Sequence, residues 1–498
     1  MSLASAALNA QSGLNTLTAE ASVLSRNITG ASSTALYSRK IANITAGLGG
    51  SQVVSITRAS SQAVFDSMLA ATSANAAESA ISAALDQLNQ TIGTVSATDS
   101  ATPSGDGSPA ALLSKFTNAL QAYEGSPSDS NLARAAVAAA GDLTNGLNSA
   151  STMVDQVREQ ADADMAASVK TINSLLAQFQ SVNAQIVKGT ATGADVTDAQ
   201  DSRDNILAEL SKQIGITTAA APDGGVSIYS DGGVTLFQGG MARSVTFVPT
   251  NTYTAATAGN AVYVDGVPIT GNSAVMGSRT GTLAGLTAVR DNLAVIYQTQ
   301  LDGMAGALIN SFKESDQTGP GADLPGLFTV PGAPPLTSII TGLASRIQIN
   351  PSVDPNQGGN PFLLRDGGIS GNSNYTYNSS GDASYQSRIS QLLSNLMSAQ
   401  AFSPDGKIST SAKLSDYASG SISWLEEQRS ATASQSAYQS ALLNTASAAL
   451  SNATGVNLDD QMSKMLDLEN SYSATAKLLS TIDGMFGAFL TDLANLPA

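Results

Sequence analysis

The chain has 498 residues, of which only 12% are charged, and it carries a net charge of -16 with neither cysteine nor histidine. That balance argues against attraction to nucleic acid or an anionic membrane, and the missing thiols and imidazoles remove disulfides, thiolate or imidazole catalysis and the usual zinc, copper and haem ligands. No 18-residue apolar stretch spans a membrane, and no basic segment followed by an apolar h-region precedes Arg26, so the expectation is a chain without a cleavable signal peptide, exported, if at all, by a route that reads none.

From the N-terminus, Leu3, Ala7, Ala10, Leu14, Leu17, Ala21, Leu24 and Ile28 fall at alternating steps of four and three. This a/d register predicts one helix over residues 1–29, ending at Gly30 and charged only at Glu20 and Arg26. Residues 30–50 mix Gly, Ser, Thr and Asn and read as loop or extended chain, with a short strand at 52–56. A helix over 60–94 carries the stripe Val64, Met68, Ala71, Ile81, Leu85, Leu88 and Ile92, and a run holding Pro103 and Pro109 ends it. Helix resumes near Ala110, stops in the turn at 124–130, and restarts with Ser130 as the expected N-cap. An Ala-rich stretch over 132–147 precedes a longer stripe, Val154, Val157, Ala161, Met165, Val169, Ile172, Leu176, Phe179, Val182 and Ile186, of about ten turns at 3.6 residues each.

After Ile214 the period changes. Alternating runs at 226–230, 234–238, 244–248 and 261–269 are separated by DGG, GG and DG turns, which predicts a small β domain over 216–283. Helix returns over 284–312 with Leu286, Val289, Leu293, Tyr297, Leu301, Met304, Leu308 and Phe312 on one face. Residues 315–380 read as loops with a few short strands, and helices follow at 385–399 and 413–451. At the C-terminus Leu458, Met462, Met465, Tyr472, Ala476, Leu479, Phe486 and Leu490 nearly repeat the first register, interrupted at Glu469 and Asp483. The predicted fold class is mainly α with an inserted β domain. It is a nested multi-domain rod: terminal helices forming a coiled coil, a central long-helix bundle, and the small β domain at the tip. Its expected divisions are 1–45, 46–215, 216–283, 284–455 and 456–498.

The polar residues name no substrate. Asp459, Asp460, Asp467 and Glu469 read as helix-start and surface acids rather than a cation site. The Asp223 and Asp231 DGG turns read as hairpin turns, and Asp201, Arg203 and Asp204 as a solvated helix start with a local ion pair. Trp424, between Ile422 and Leu425, reads as a packing residue. No catalytic, cofactor or metal residue is assigned, and no enzyme activity is expected.

Residues 455–490, with Val456, Asn457, Leu458, Asp459, Tyr472, Ala476, Lys477, Asp483 and Met485 in place, resemble the C-terminal signature of the bacterial flagellar axial proteins, most closely the hook-associated protein 1 (FlgK) family of the hook–filament junction. Asn27 and Ile28 followed by Tyr37, Ser38 and Arg39 fit the N-terminal motif, from which Gly30, Ser33, Ala35 and Leu36 depart. The Tyr-Ser-Arg favours the junction family over hook or rod proteins. Support comes also from Asp201, Arg203, Asp204, Leu207, Leu210 and Ser211, from 281–312, and from Pro127, Ala133, Arg134 and Val137.

The resemblance implies a structural subunit that joins hook to filament by self-assembly, with Leu3, Leu14, Leu17, Leu24, Ile28, Leu458, Met462, Met465, Tyr472, Leu479 and Phe486 as assembly residues. It implies a ring of copies of the chain, the hook protein, a second junction protein and an export chaperone at the C-terminal helix as partners. It implies a cytoplasmic stage before type III export and a final place in the extracellular flagellum. The isolated end helices are marginal in water, so both are expected to order on assembly. The alternatives are another axial protein, a carboxylate glycosidase on a stalk, or a secreted adhesin, from which a junction protein would differ by still assembling after loss of residues 215–283.

Overall fold

The computed structural model describes residues 2–33, 35–47, 50–92, 107–250, 252–331 and 340–494. The expected helix end at Thr94 and its stop at Pro103 lie outside them. Helix α1 (Leu3–Gly30) begins where the Ser2 hydroxyl accepts the Ser5 N–H. An antiparallel hairpin follows, β1 (Lys40–Gly47) and β2 (Gly50–Arg58). Its first strand is the extended alternative for residues 30–50, and it lacks an alternating pattern because almost every side chain in it faces solvent. The hairpin folds back along α1: the Thr16 hydroxyl donates to the Ser51 carbonyl at 2.7 Å. Gly50, at φ +105°, sits so close that a Cβ there would meet the Ser12 Cβ at 2.7 Å.

Helix α2 (Gln62–Asn89) tightens into a single 3-10 turn at Gln90–Ile92. Helix α3 (Pro109–Gly125) starts behind a Ser108 cap. The two stripes expected next form one uninterrupted helix, α4 (Ser130–Thr192), of 63 residues. Asp129, not Ser130, is its N-cap, with a carboxylate oxygen 2.7 Å from the Asn131 N–H. Gly193, at φ +71°, ends it, and α5 (Thr197–Gln213) turns back along it.

A four-stranded antiparallel sheet then runs β3 (Ile216–Ala220), β4 (Val226–Ser230), β5 (Thr235–Gln238) and β6 (Met241–Ala242) in sequential order. A smaller one joins β7 (Val245–Thr246), β8 (Tyr263–Val264) and β9 (Val267–Pro268). Asp223 and Asp231 lie in hairpin turns, and Asp231 also accepts the Arg279 and Thr280 N–H groups.

The helix expected over 284–312 is broken into α6 (Thr282–Ala288), a π turn at Val289–Leu293, and α7 (Ala294–Phe312). The extra residue of that turn aims Arg290 into the core, where it bonds Asp162 at 2.6 Å and the Asn260 carbonyl at 2.8 Å. Helix α7 is buried nearly all round, as its uniformly apolar and small sequence requires. The irregular segment contains the pair β10 (Phe328–Thr329) and β11 (Gln348–Ile349), then α8 (Leu363–Asp366) and α9 (Ser387–Met397). A short pair, β12 (Ala399–Ala401) and β13 (Ser411–Lys413), leads into α10 (Leu414–Thr454) and finally α11 (Leu458–Ala494).

Packing is nested as expected. Helices α1 and α11 pair with each other, and α2 pairs antiparallel with α10, where Arg429 meets Asp86 at 2.9 Å. Helix α4 is the spine against which α3, α5, α6 and α7 pack. Trp424 is buried in α10 beside Leu425, and the rings of Phe116, Phe312 and Phe328 meet edge-on or tilted at 5.1–5.6 Å.

The β insertion is not at the tip. It lies along the second half of α4, with Phe237 edge-on to Phe179 at 4.9 Å and the Val226 N–H bonded to Asn183, and beside α2, where Thr280 meets Ser73 at 3.0 Å. The end remote from the chain termini is built by the irregular segment, whose Arg365 reaches the Pro127 carbonyl at 2.9 Å and whose Ile347 carbonyl accepts from Asn148 at 3.2 Å. The reason is burial. Ile228 and its cross-strand partner Phe237 are buried on one face of the sheet and Leu236 on the other, and all three belong to the same continuous core as α4. The insertion is therefore not a removable appendage, and loss of residues 215–283 would open that core.

Candidate assembly arm and its base

Helices α1 and α11 form an arm with the β1–β2 hairpin laid on α1. On α1 the expected seam holds: Leu24 and Ala10 are buried and Leu3, Leu14, Leu17 and Ile28 are half-buried. On α11 it holds only in part. Met465, Leu479 and Phe486 are half-buried, whereas Leu458, Met462 and Tyr472 are 48%, 52% and 48% exposed. The other inward column is Gln461, Leu468, Thr475 and Ile482, one residue earlier than the sequence reading placed it. That one-residue rotation removes the interruptions: Glu469 and Asp483 face out, and Leu468 and Ile482 take their places. Gly13 of α1 stands across from Thr475, its would-be Cβ 3.6 Å from the Thr475 methyl.

At the base of the arm a polar pair is sealed in the seam. Asn27 and Gln461 are each 1% exposed, and the Asn27 amide donates to the Gln461 carbonyl and to the Lys40 carbonyl, both at 2.9 Å. The Lys40 N–H returns a bond to Asn27 Oδ1 at 2.8 Å. The pair favours one register, because a slip of α11 along α1 would break the Asn27–Gln461 bond and leave the buried Gln461 amide oxygen without that donor. Sequence reading missed the pair; Asn27 was visible only as part of a family motif.

Arm and body meet at α5. The presumed local ion pair of Asp201, Arg203 and Asp204 is absent, and Asp201 and Arg203 are buried. Arg203 reaches the Gly224 carbonyl at 2.7 Å instead. The acids face cations from the arm. Arg26 of α1 bonds Asp195 and Asp198, both at 2.7 Å. Lys40 of β1 contacts Asp198 and lies 3.7 Å from Asp201, and Arg58 of β2 holds Asp201 at 3.0 Å and Asp204 at 2.6 Å. Burial raises the Asp201 carboxyl above the usual range and lowers the Lys40 ammonium. Burial also pushes the Tyr37 phenol, under the Lys40 ammonium, up to about 12. Leu36 and Asn205 exchange two bonds of 2.9 Å across the same joint. The legible signal was the spacing of Asp195, Asp198, Asp201 and Asp204, one acid every three residues.

At the start of α11, Asn457 accepts the Asp459 and Asp460 N–H groups, and Asp460 pairs with Lys464 at 2.7 Å. Among the described residues no carboxylate group has metal-binding geometry, and no helix is long and apolar enough to cross a membrane. The arrangement offers packing surfaces and ion pairs rather than reactive groups.

Two stretches match known sequence patterns: residues 95–328 the flagellar hook-associated protein FlgK helical domain, and residues 447–493 the flagellar basal body rod FlgEFG protein C-terminal region. A FlgK-type helical body is thus followed by an axial-type C-terminal helix, the arrangement of the flagellar axial class. The chain resembles the FlgK hook-associated proteins over its helical body and the axial rod proteins over its C-terminal helix. It is 26% identical over 322 residues to flagellar hook-associated protein 1 of Escherichia coli, covering 62% of this chain and 57% of that protein. It is 24% identical over 398 residues to flagellar hook-associated protein 1 of Bacillus subtilis, covering 75% of this chain and 74% of that protein. A solved structure of the flagellar hook junction protein FlgK from Burkholderia pseudomallei aligns at 21% identity and a TM-score of 0.42, over 53% of this chain and 46% of that one. The chain thus spans a little over half the length of its Escherichia coli relative.

Proposed function

We propose that this chain joins hook to filament as a structural subunit without enzymatic activity, assembling through its arm. The observation that carries this reading is the unequal dressing of α11. Its inward columns meet α1, while Leu458, Met462 and Leu466 on one flank and Leu478, Met485 and Phe489 on the other stand exposed. A soluble monomer rarely leaves two apolar flanks on one helix, and neighbouring arms would cover both. Leu3, Leu14, Leu17, Leu24, Ile28, Met465, Leu479 and Phe486 then hold the arm together, whereas Leu458, Met462 and Tyr472 meet adjacent copies.

In this reading copies of the chain form a ring between the hook protein and a second junction protein. The chain occupies the flagellum after passing the type III export apparatus from the cytoplasm, escorted by a chaperone that shields α11. The arm, residues 1–45 with 456–498, is the assembling unit, and residues 46–455 with their β insertion are the body. The test removes residues 1–30 and 458–498. The shortened chain is expected to stay folded and monomeric and to fail to add to purified hooks, while hook addition by the shortened chain would end the proposal.

A further inference from the structure

The joint between arm and body has an arrangement that assembly alone does not require. Asp195, Asp198, Asp201 and Asp204 form four evenly spaced rungs on the body, at the α4–α5 turn and along α5. Each arm cation stands between two consecutive rungs: Arg26 between Asp195 and Asp198, Lys40 between Asp198 and Asp201, Arg58 between Asp201 and Asp204. The three cations come from three separate elements, α1, β1 and β2. Yet they descend in the same order as the acids.

We propose that this ladder is an orientation clamp, which admits a single setting of the arm against the body. Three cations between four acids fill every gap only in the observed register. The positions that would continue the ladder are Thr192 on one side and Leu207 on the other, and neither carries charge. A shift of one rung in either direction leaves Arg26 or Arg58 with a single acid and strands the acid at the opposite end. Lys40 and Asp201 make such a shift costly, because their side chains are 1% and 9% exposed, whereas Asp198 at 72% exposed adds little. Buried ion pairs add little net stability over apolar replacements, but they penalise misalignment. The clamp therefore sets direction more than strength. The reciprocal bonds of Leu36 with Asn205 lie at the same joint and would be lost by the same slip.

The absence of cysteine allows a direct test on the full chain. Ser22→Cys on α1 and Ser174→Cys on α4, both exposed positions, take nitroxide labels, and pulsed electron resonance reads the distance between arm and body. The otherwise native chain is expected to give one narrow distance distribution. Asp198→Asn with Asp201→Asn, and separately Arg26→Gln with Arg58→Gln, are expected to lose that single peak and give a broad or divided distribution. The control Glu209→Gln with Lys212→Gln, which removes an exposed pair on the same helix, should leave it unchanged. The emission of the buried Trp424 reports whether the body remains folded. Overturning results are an unchanged distribution in both ladder variants, a broad one in the otherwise native chain, or arm broadening that occurs only when Trp424 becomes exposed. None of these readings depends on hook addition, so the clamp and the proposed junction role fail separately.

Discussion

The position of α11 against α1 can be tested by a cross-link. Replacing Gly13 and Thr475 by cysteine puts the two sulfurs in reach, because a Cβ at residue 13 lies 3.6 Å from the Thr475 methyl, the place a sulfur would take. The native chain has no cysteine, so a disulfide within the monomer-sized species can only be the intended one, and bonds between chains are set apart by their doubled mass. The bond would close a loop of roughly 460 residues, for which chain-entropy scaling gives about 6 kcal/mol and practical strain reduces the gain to about 2–4 kcal/mol. Opening of the arm, read by amide hydrogen exchange over α1 and α11, should slow by roughly 30- to 1,000-fold in the oxidised chain. Mobility on a non-reducing gel gives the yield of the bond. Gly13→Cys with Lys477→Cys is the control, since Lys477 is exposed on the outer side of α11. The seam is wrong if the control oxidises as readily as the test pair, or if the test pair does not close.

The same seam separates two apolar residues of similar size: Ile482→Ala, at a position 7% exposed, should destabilise the arm by about 2–4 kcal/mol, and Met462→Ala, 52% exposed, by under about 0.5 kcal/mol. Equal exchange rates in the two variants would contradict the rotated column. Glu314 is wholly buried, and burial raises its carboxyl above the usual 4.5 although the Ile369, Ser370 and Gly368 N–H groups and Arg388 oppose the shift. The folded chain then binds this proton more tightly than the unfolded one, so the contribution is fullest in acid and is lost as pH rises above about 4.5. Glu314→Gln should flatten that fall and raise Tm at pH 7; calorimetry between pH 4 and 7 showing an unchanged slope would count against it.

Periodicity carried most of the fold. The α1 stripe, the α4 stripe and the alternation at 226–238 each correspond to the element built from them, because in each the apolar residues sit where the core is. The failures have local causes. On α11, Met465, Leu479 and Phe486 serve two possible seams equally, and Met462 is as apolar as any core residue; only the partner helix decides between Gln461 and Met462. Gln461 is polar because its neighbour is Asn27, 434 residues away in sequence. The π turn at Arg290 was unreadable for a similar reason, since a charged side chain belongs inside only where Asp162 waits for it. Strand β1 hides because solvent takes both its faces. At the candidate site, the acids at 195, 198, 201 and 204 were in view, but their cations come from Arg26, Lys40 and Arg58, too distant in sequence for spacing to connect.

Helix α4 has a mechanical consequence. At 1.5 Å per residue its 63 residues make a strut about 95 Å long, unbroken by proline, along which the body is stacked. Bending such a strut would disturb every layer fastened to it, since α3, α5, α6 and α7 all lie against it. The body is therefore expected to move as one piece, so that any change of its setting relative to the arm has to break the ion pairs at α5 rather than flex the shaft.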